Sequence, residues 1–181
     1  MLARALSFFL AVVVAGGCCL SPIRPSDSSG SGSDNGGGAG TLGAGCPAGS
    51  EVGNNGPMAA KIGGESWSSC VSLALNGGGI ITVSANDAKN PITNIAFAVL
   101  ASGPGTFNIG PLDNPSNSLL GVGAATWQAL AGSGSGTVTI TSLTSAAVAG
   151  TFSFTMNPVA GTGASGTKSI TNGTFNVRFT H

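Results

Sequence analysis

The feature that most constrains this fold is an alternation of apolar and polar residues along the C-terminal half of the chain. Residues 136–142, 150–156 and 173–180 place an apolar side chain at every second position. A repeat of two residues is the period of a β-strand, since successive strand side chains point to opposite faces. Each segment therefore has one apolar and one polar face, as in an antiparallel sheet with one face buried.

Shorter alternations and glycine-rich breaks extend this pattern toward the N-terminus. Apolar residues alternate along 71–75, 81–83, 95–99 and 107–109, and glycine-rich stretches separate these segments at 76–79, 103–105, 132–136 and 161–166. Long runs with helical spacing are missing from the sequence. We therefore predict an all-β fold, either an antiparallel β-sandwich or a flattened barrel, with about eight to nine strands.

The first residues have the organisation of an export signal. An apolar run at 6–17 follows Arg4; it is shorter than the roughly 20 residues that span a bilayer but suits a signal peptide. The run ends in small residues directly before Cys18, which resembles a lipoprotein-processing site. We predict a signal peptide at 1–17 and lipidation of Cys18. The open alternatives are processing at Cys19 and an ordinary secretory signal.

A Gly/Ser-rich segment follows the signal, and residues 18–45 are predicted to be a tether with the lipidated cysteine at its start. This segment has too few large apolar side chains to offset the entropy of ordering. The remaining residues, 46–181, are predicted to form a single all-β domain. The expected location is the cell envelope, with the lipid in a membrane. In a cell with two membranes this is the outer one, because Cys19 rather than Asp follows the anchor.

Two cysteines remain inside the predicted domain, Cys46 and Cys70. In an exported protein such a pair is expected to form a disulfide, and closing a loop of about 24 residues stabilises the fold by roughly 3 kcal/mol. Two free thiols are the alternative. The chain has one histidine, His181, at the very end of the sequence. We therefore predict no metal site and no cofactor.

Composition argues against several classes of function. The formal net charge is zero and 7% of residues are charged, so the basic patch of a nucleic-acid-binding protein is not expected. Acid–base catalysis would need paired groups, and nothing in the sequence places two carboxylates of the domain together (Glu51, Glu65, Asp87 and Asp113). A non-enzymatic role is predicted. Trp67 and Trp127 are candidate ligand contacts, although core packing is favoured for both.

Two regions resemble a family of uncharacterised β-rich bacterial lipoprotein domains. Residues 60–67 (AKIGGESW) are similar to the opening pattern A-x-I-[ND]-G-x-x-W, with Gly63 in place of Asn or Asp. The end is similar to the paired "GTF" strands of the family, at 135–143 (SGTVTITSL), 149–156 (AGTFSFTM) and 170–179 (ITNGTFNVRF). The family has no assigned activity, so the resemblance implies no catalytic residues.

Three classes of function stay open on the sequence. The favoured one is a lipid-anchored binding or interaction module whose ligand is an unknown protein or glycan. The others are a structural component of the envelope and a carbohydrate-active enzyme. Threonines at alternate positions, such as Thr137, Thr139 and Thr151, are interpreted as the hydrated face of a sheet. The oligomeric state does not follow from the sequence.

Overall fold

The computed structural model describes Cys46 and residues 55–113 and 115–180. All of them belong to one compact unit, Gly37–His181. The predictions for the signal peptide at 1–17, for Cys18 and Cys19 and for the tether at 18–45 lie outside the described residues. So do Glu51 and His181.

The described residues form eleven β-strands and no α-helix, which confirms the all-β prediction. The strand count exceeds the expected eight to nine, because several strands are only four to six residues long. The strands are β1 (Met58–Ile62), β2 (Glu65–Ser68), β3 (Val71–Gly77), β4 (Ile80–Asn86), β5 (Thr93–Leu100), β6 (Gly105–Ile109), β7 (Asn117–Val122), β8 (Ala125–Ala129), β9 (Ser135–Leu143), β10 (Ala147–Pro158) and β11 (Lys168–Arg178). No helix of the described part is long and apolar enough to cross a membrane.

The strands form one curled antiparallel sheet with the shape of a half-barrel. Its order is β2-β1-β11-β10-β8-β7-β5-β4-β3. Strand β9 also pairs with β10, and β6 pairs with the other edge of β9. Strand β10 pairs with β9 along residues 148–155 and with β8 at Asn157 and Pro158. Because β10 is long enough to serve two neighbours in succession, it joins the two halves of the sheet.

The curl brings the last strand of the order back toward β11. Ala74 in β3 forms a parallel bridge with Phe179, directly after β11. The backbone N–H of Thr180 donates to the carbonyl oxygen of Ala74 at 3.0 Å. The sheet therefore encloses a single apolar interior between its two halves.

The core confirms the orientation predicted for the C-terminal strands. Phe152, Phe154, Phe175, Val177 and Phe179 are all buried in one cluster. The ring of Phe97, from β5, lies 5.2–6.0 Å from the rings of Phe152, Phe154 and Phe175, measured between centroids. Aromatic side chains from both halves of the sheet therefore pack together.

A β-bulge interrupts β11 at Asn172. Its φ angle is 52°, in the left-handed region, which Asn tolerates better than most residues. The pairing of β11 shifts register at this point with both neighbours, β1 and β10. A bulge bends its strand and increases the local twist, so the β1–β11 side of the sheet changes direction at Asn172.

Candidate functional site

The structure separates the candidate acids of the domain. Asp87 is buried, and its Oδ1 accepts hydrogen bonds from the backbone N–H groups of Thr93 at 2.9 Å and Lys89 at 3.3 Å. This carboxylate therefore braces the loop between β4 and β5. Glu65 and Asp113 are exposed, on β2 and before β7 respectively. Among the described residues, no group of three or more His, Cys, Asp or Glu side chains could hold a metal ion.

Trp127, on β8, is used by the fold. The residue is 6% exposed, and its Nε1 donates to the carbonyl oxygen of Gly166 at 2.8 Å. The ammonium group of Lys168 lies 5.3 Å from the centroid of the ring, the geometry of a cation–π contact. The ring of Trp127 is therefore buried and its N–H is already hydrogen-bonded. A ligand-binding platform would need an exposed ring, so Trp127 does not suit that role.

Trp67, on β2, is also buried but lacks a partner for its polar atom. The residue is 8% exposed. Its Nε1 is buried and has no hydrogen-bond acceptor among the described residues. A buried donor without a partner costs about 1–3 kcal/mol and needs an explanation, of which a missing bound molecule is one.

Trp67 forms part of the wall of an open hollow of about 520 Å³ over the β1–β2 hairpin. We call this feature the Trp67 hollow. Its polar lining residues are Lys61, Ser66, Ser68, Lys89 and Asn172.

Three separate elements build the Trp67 hollow. The β1–β2 hairpin has a two-residue turn of Gly63 and Gly64, both with positive φ (59° and 96°). This geometry suits the hairpin twist and explains why Gly can replace Asn or Asp at position 63. The bulge of β11 contributes Asn172, and the loop braced by Asp87 contributes Lys89.

The lining of the Trp67 hollow contains two cationic side chains. Lys61 and Lys89 contribute two ammonium groups, and the lining includes no carboxylate. Of the six Lys and Arg residues of the chain, Arg4 and Arg24 precede the domain, so the hollow holds two of the remaining four. Within the described part of the chain neither lysine forms an ion pair.

A second surface differs in character. Strands β3, β4, β5, β7 and β8 contain no charged residue. Their outward positions carry aliphatic side chains that are 36–55% exposed, namely Leu73, Leu75, Ile80, Leu100 and Leu119. Ile80 lies opposite Leu100, and Leu73 and Leu119 belong to one row across the sheet, with Ser84 and Ala96 between them. We call this surface the apolar outer face.

The other half of the sheet presents hydroxyl groups outward. Thr106, Thr139, Thr151 and Thr174 lie in register across β6, β9, β10 and β11. The hydroxyl oxygens of Thr106 and Thr139 are 3.0 Å apart, within hydrogen-bonding distance. Thr106 and Thr139 satisfy each other, and the exposed position of Thr151 and Thr174 agrees with the interpretation of this row as a hydrated strand face.

Cys46 and Cys70 lie together, with Sγ atoms 1.98 Å apart and Cα atoms 5.4 Å apart. The Cα distance falls in the ordinary range for a disulfide. Cys70 lies between the end of β2 at Ser68 and the start of β3 at Val71, so this bond ties the chain at position 46 to the connection between β2 and β3.

Of the residues that line the Trp67 hollow, the sequence pattern singles out Trp67 and none of the other polar ones. Lys61 and Lys89 stand in unrelated segments, and nothing local in the sequence marks them as neighbours. The Asn-Gly pair at 172–173 inside a strand pattern was the available signal, because such a pair in a strand indicates a bulge.

Comparison with known proteins gives a family but no activity. Searches of curated proteins and of solved structures each returned no match. Residues 54–177 match a family described as Domain of unknown function (DUF6252). This stretch includes every strand of the sheet except the final residue of β11, so the chain belongs to the DUF6252 family.

Proposed function

We propose that this protein is a ligand-binding module of the cell envelope, anchored by a lipid on Cys18, with its binding site in the Trp67 hollow. The observation that carries the proposal is the lining of this hollow, which offers hydrogen-bond donors from several elements. Binding sites typically combine a concave surface with a few convergent polar groups. The buried Nε1 of Trp67 has no partner among the described residues, and we assign it to an acceptor of the bound ligand.

Binding suits this lining better than turnover does. General acid–base catalysis requires a titratable group within reach of the reacting atom, most often His, Asp or Glu. The polar side chains that line the Trp67 hollow are two lysines, two serines and an asparagine beside the indole. These groups donate and accept hydrogen bonds but provide no carboxylate–acid pair.

The two tryptophans allow a matched test of the site. Trp67→Phe removes the indole N–H while keeping an aromatic ring, and Trp127→Phe makes the same change away from the hollow. A ligand from a glycan screen of the full chain should bind about five-fold more weakly to Trp67→Phe, because one hydrogen bond is worth about 1 kcal/mol. Trp127→Phe should bind normally. Equal affinities for the two variants would contradict a site in the Trp67 hollow.

The anchor has its own test. Protein extracted from membranes of the producing cell should begin at an acylated Cys18, which mass spectrometry of the N-terminal peptide measures directly. The apolar run before a small-residue junction motivates this expectation. An unmodified N-terminus elsewhere, in a fully soluble protein, would reject lipid anchoring and leave the binding site open.

The apolar outer face favours a second candidate function, a structural component that self-associates. Five strands about 4.8 Å apart, each about six residues long, present roughly 500 Å² per copy. Two copies face to face would bury roughly 1,000 Å², which is the lower end for specific interfaces. A face without charges can meet its own copy without desolvating an ion.

Self-association predicts a weak dimer that charge disrupts. Leu75→Lys with Leu100→Lys should shift the full chain toward monomer in sedimentation velocity, while Thr151→Lys on the hydroxyl face should not. A chain that stays monomeric at high concentration would dismiss this candidate.

A further inference from the structure

We infer that the ligand of the Trp67 hollow is an acidic saccharide, whose carboxylate groups are held by Lys61 and Lys89. This inference rests on the proposed function and adds the chemical class of the ligand. It starts from the uneven distribution of charge: a domain with four cationic side chains places two of them in the lining of one hollow, and that lining includes no carboxylate.

Backbone contacts fix the positions from which both lysines extend. Lys61 lies in β1 between Ser66 of β2 and Thr171 of β11 in the paired register. Lys89 lies in the β4–β5 loop, where its own backbone N–H donates to the buried carboxylate of Asp87 at 3.3 Å. An anion bound in the hollow would be attracted by ammonium groups from two separate elements.

The chemistry of lysine favours an anion whose charged groups have no fixed geometry. A lysine ammonium is a point charge on a flexible stem, whereas arginine offers the rigid fork that recognises a phosphate or carboxylate in a bidentate manner. The hollow uses lysine at both positions. This arrangement suits carboxylates whose spacing varies along a sugar chain.

The neutral part of the lining suits the hydroxyl groups of a saccharide. Ser66 and Ser68 provide hydroxyls from β2, and Asn172 provides an amide from the bulge of β11. Both groups donate and accept hydrogen bonds, as sugar hydroxyls do.

Other anionic macromolecules fit less well. A nucleic-acid-binding surface needs a basic stripe along the domain, and an anionic membrane surface typically attracts clusters of four to eight Lys or Arg. Beyond the hollow, the cationic side chains left in the domain are Lys168, which lies over Trp127, and Arg178 at the end of β11. Two lysines in one hollow match a short acidic segment instead.

The test uses a pair of probes that differ only in charge. Titration calorimetry compares the binding of tetragalacturonate and of its fully methyl-esterified form to the full chain. The acid should bind and the neutral ester should bind at least ten-fold more weakly. Because exposed ion pairs are screened, the affinity for the acid should also fall as salt is raised.

Charge-removing variants identify the residues. Lys61→Gln and Lys89→Gln should each weaken binding of tetragalacturonate about three-fold, and the double variant about ten-fold, the range expected for exposed ion pairs. Lys168→Gln removes the same charge outside the hollow and should leave the affinity unchanged. If Lys168→Gln weakens binding as much as the other two, the attraction is general and the inference is wrong.

The remaining outcomes separate this inference from the proposed function. Equal binding of the acid and the ester, with both weakened about five-fold in Trp67→Phe, would overturn the acidic ligand but keep a binding site in the hollow. Displacement of tetragalacturonate by millimolar inorganic phosphate, with tighter binding of the phosphate, would overturn the saccharide in favour of a phosphate ligand. Failure of both saccharides to bind would overturn the inference, and a glycan screen that finds no ligand would then reject the proposed function as well.

Discussion

At the scale of single residues, two buried tryptophans of one domain differ in what their polar atoms do. The Nε1 of Trp127 donates to Gly166, whereas the Nε1 of Trp67 has no acceptor among the described residues. The same side chain therefore has a hydrogen-bonded polar atom at position 127 and a buried, unpartnered one at position 67 within the described part of the chain.

This difference predicts unequal losses of stability in the two Trp→Phe variants. Both variants lose similar apolar volume, but Trp127→Phe also loses a hydrogen bond and a cation–π contact. Its free energy of unfolding should fall by about 1–2 kcal/mol more than that of Trp67→Phe. Urea denaturation of the two full-length variants measures the difference. An equal or larger loss in Trp67→Phe would mean that its N–H has a partner after all.

Asp87 gives a second prediction at this scale. Asp87→Ala removes the acceptor for two backbone N–H groups and should lower the free energy of unfolding by about 1–3 kcal/mol. Asp87→Asn keeps an oxygen at the same place and should recover most of that loss. If both variants are equally unstable in urea, the negative charge of Asp87 matters more than its hydrogen bonds.

At the scale of strands, β10 and β11 pack closely because glycine stands where other side chains would collide. A Cβ built on Gly173 of β11 would lie 2.6 Å from three ring atoms of Phe152 on β10. Phe152 is buried against Phe97 and Phe154, so its ring has little room to move.

Gly173→Ala should therefore destabilise the protein by about 1–3 kcal/mol, the usual result of overpacking a core. Gly121→Ala, in β7, is the matched control, because a Cβ there meets nothing within 4 Å. The control should be unchanged or stabilised by up to about 1 kcal/mol. Thermal denaturation of both variants measures this, and similar melting temperatures would contradict the close packing.

The strands also show how far sequence reasoning reaches. Alternation identified the buried faces of β9, β10 and β11, because each is long and keeps the two-residue period. Strand β7 (NSLLGV) was missed because Leu119 and Leu120 are adjacent, which hides the period, and β2 has only four residues. The Trp67 hollow could not be predicted, since the pairing of distant strands brings Lys61, Lys89 and Asn172 together.

At the scale of the whole molecule, two contacts hold the N-terminal part of the domain against distant strands. The Ala74–Phe179 bridge joins β3 to the end of β11, and the Cys46–Cys70 pair ties the entry of the chain to the start of β3. Both contacts lie beside β3, the last strand in the order of the sheet.

The disulfide should contribute to stability through the unfolded state. Closing a loop with a sequence separation of 24 removes conformational freedom from the unfolded chain, worth roughly 3 kcal/mol. Reductant should therefore lower the urea midpoint of the full chain, while the Cys46→Ser/Cys70→Ser variant should show the lower midpoint under both conditions. Peptide mapping without reductant identifies the bond. A wild-type midpoint that ignores reductant would contradict the pairing.

The position of that bond has a mechanical consequence. A pull on the N-terminal segment passes from Cys46 through sulfur to Cys70 and enters the sheet between β2 and β3. Strand β1, which begins at Met58, then lies outside the path of the load. After reduction of the bond, the same force would reach the sheet through β1. The hydrogen bonds between β1 and β11 would then break one after another. The domain would thus resist a pull on its N-terminal segment more strongly while this bond is oxidised.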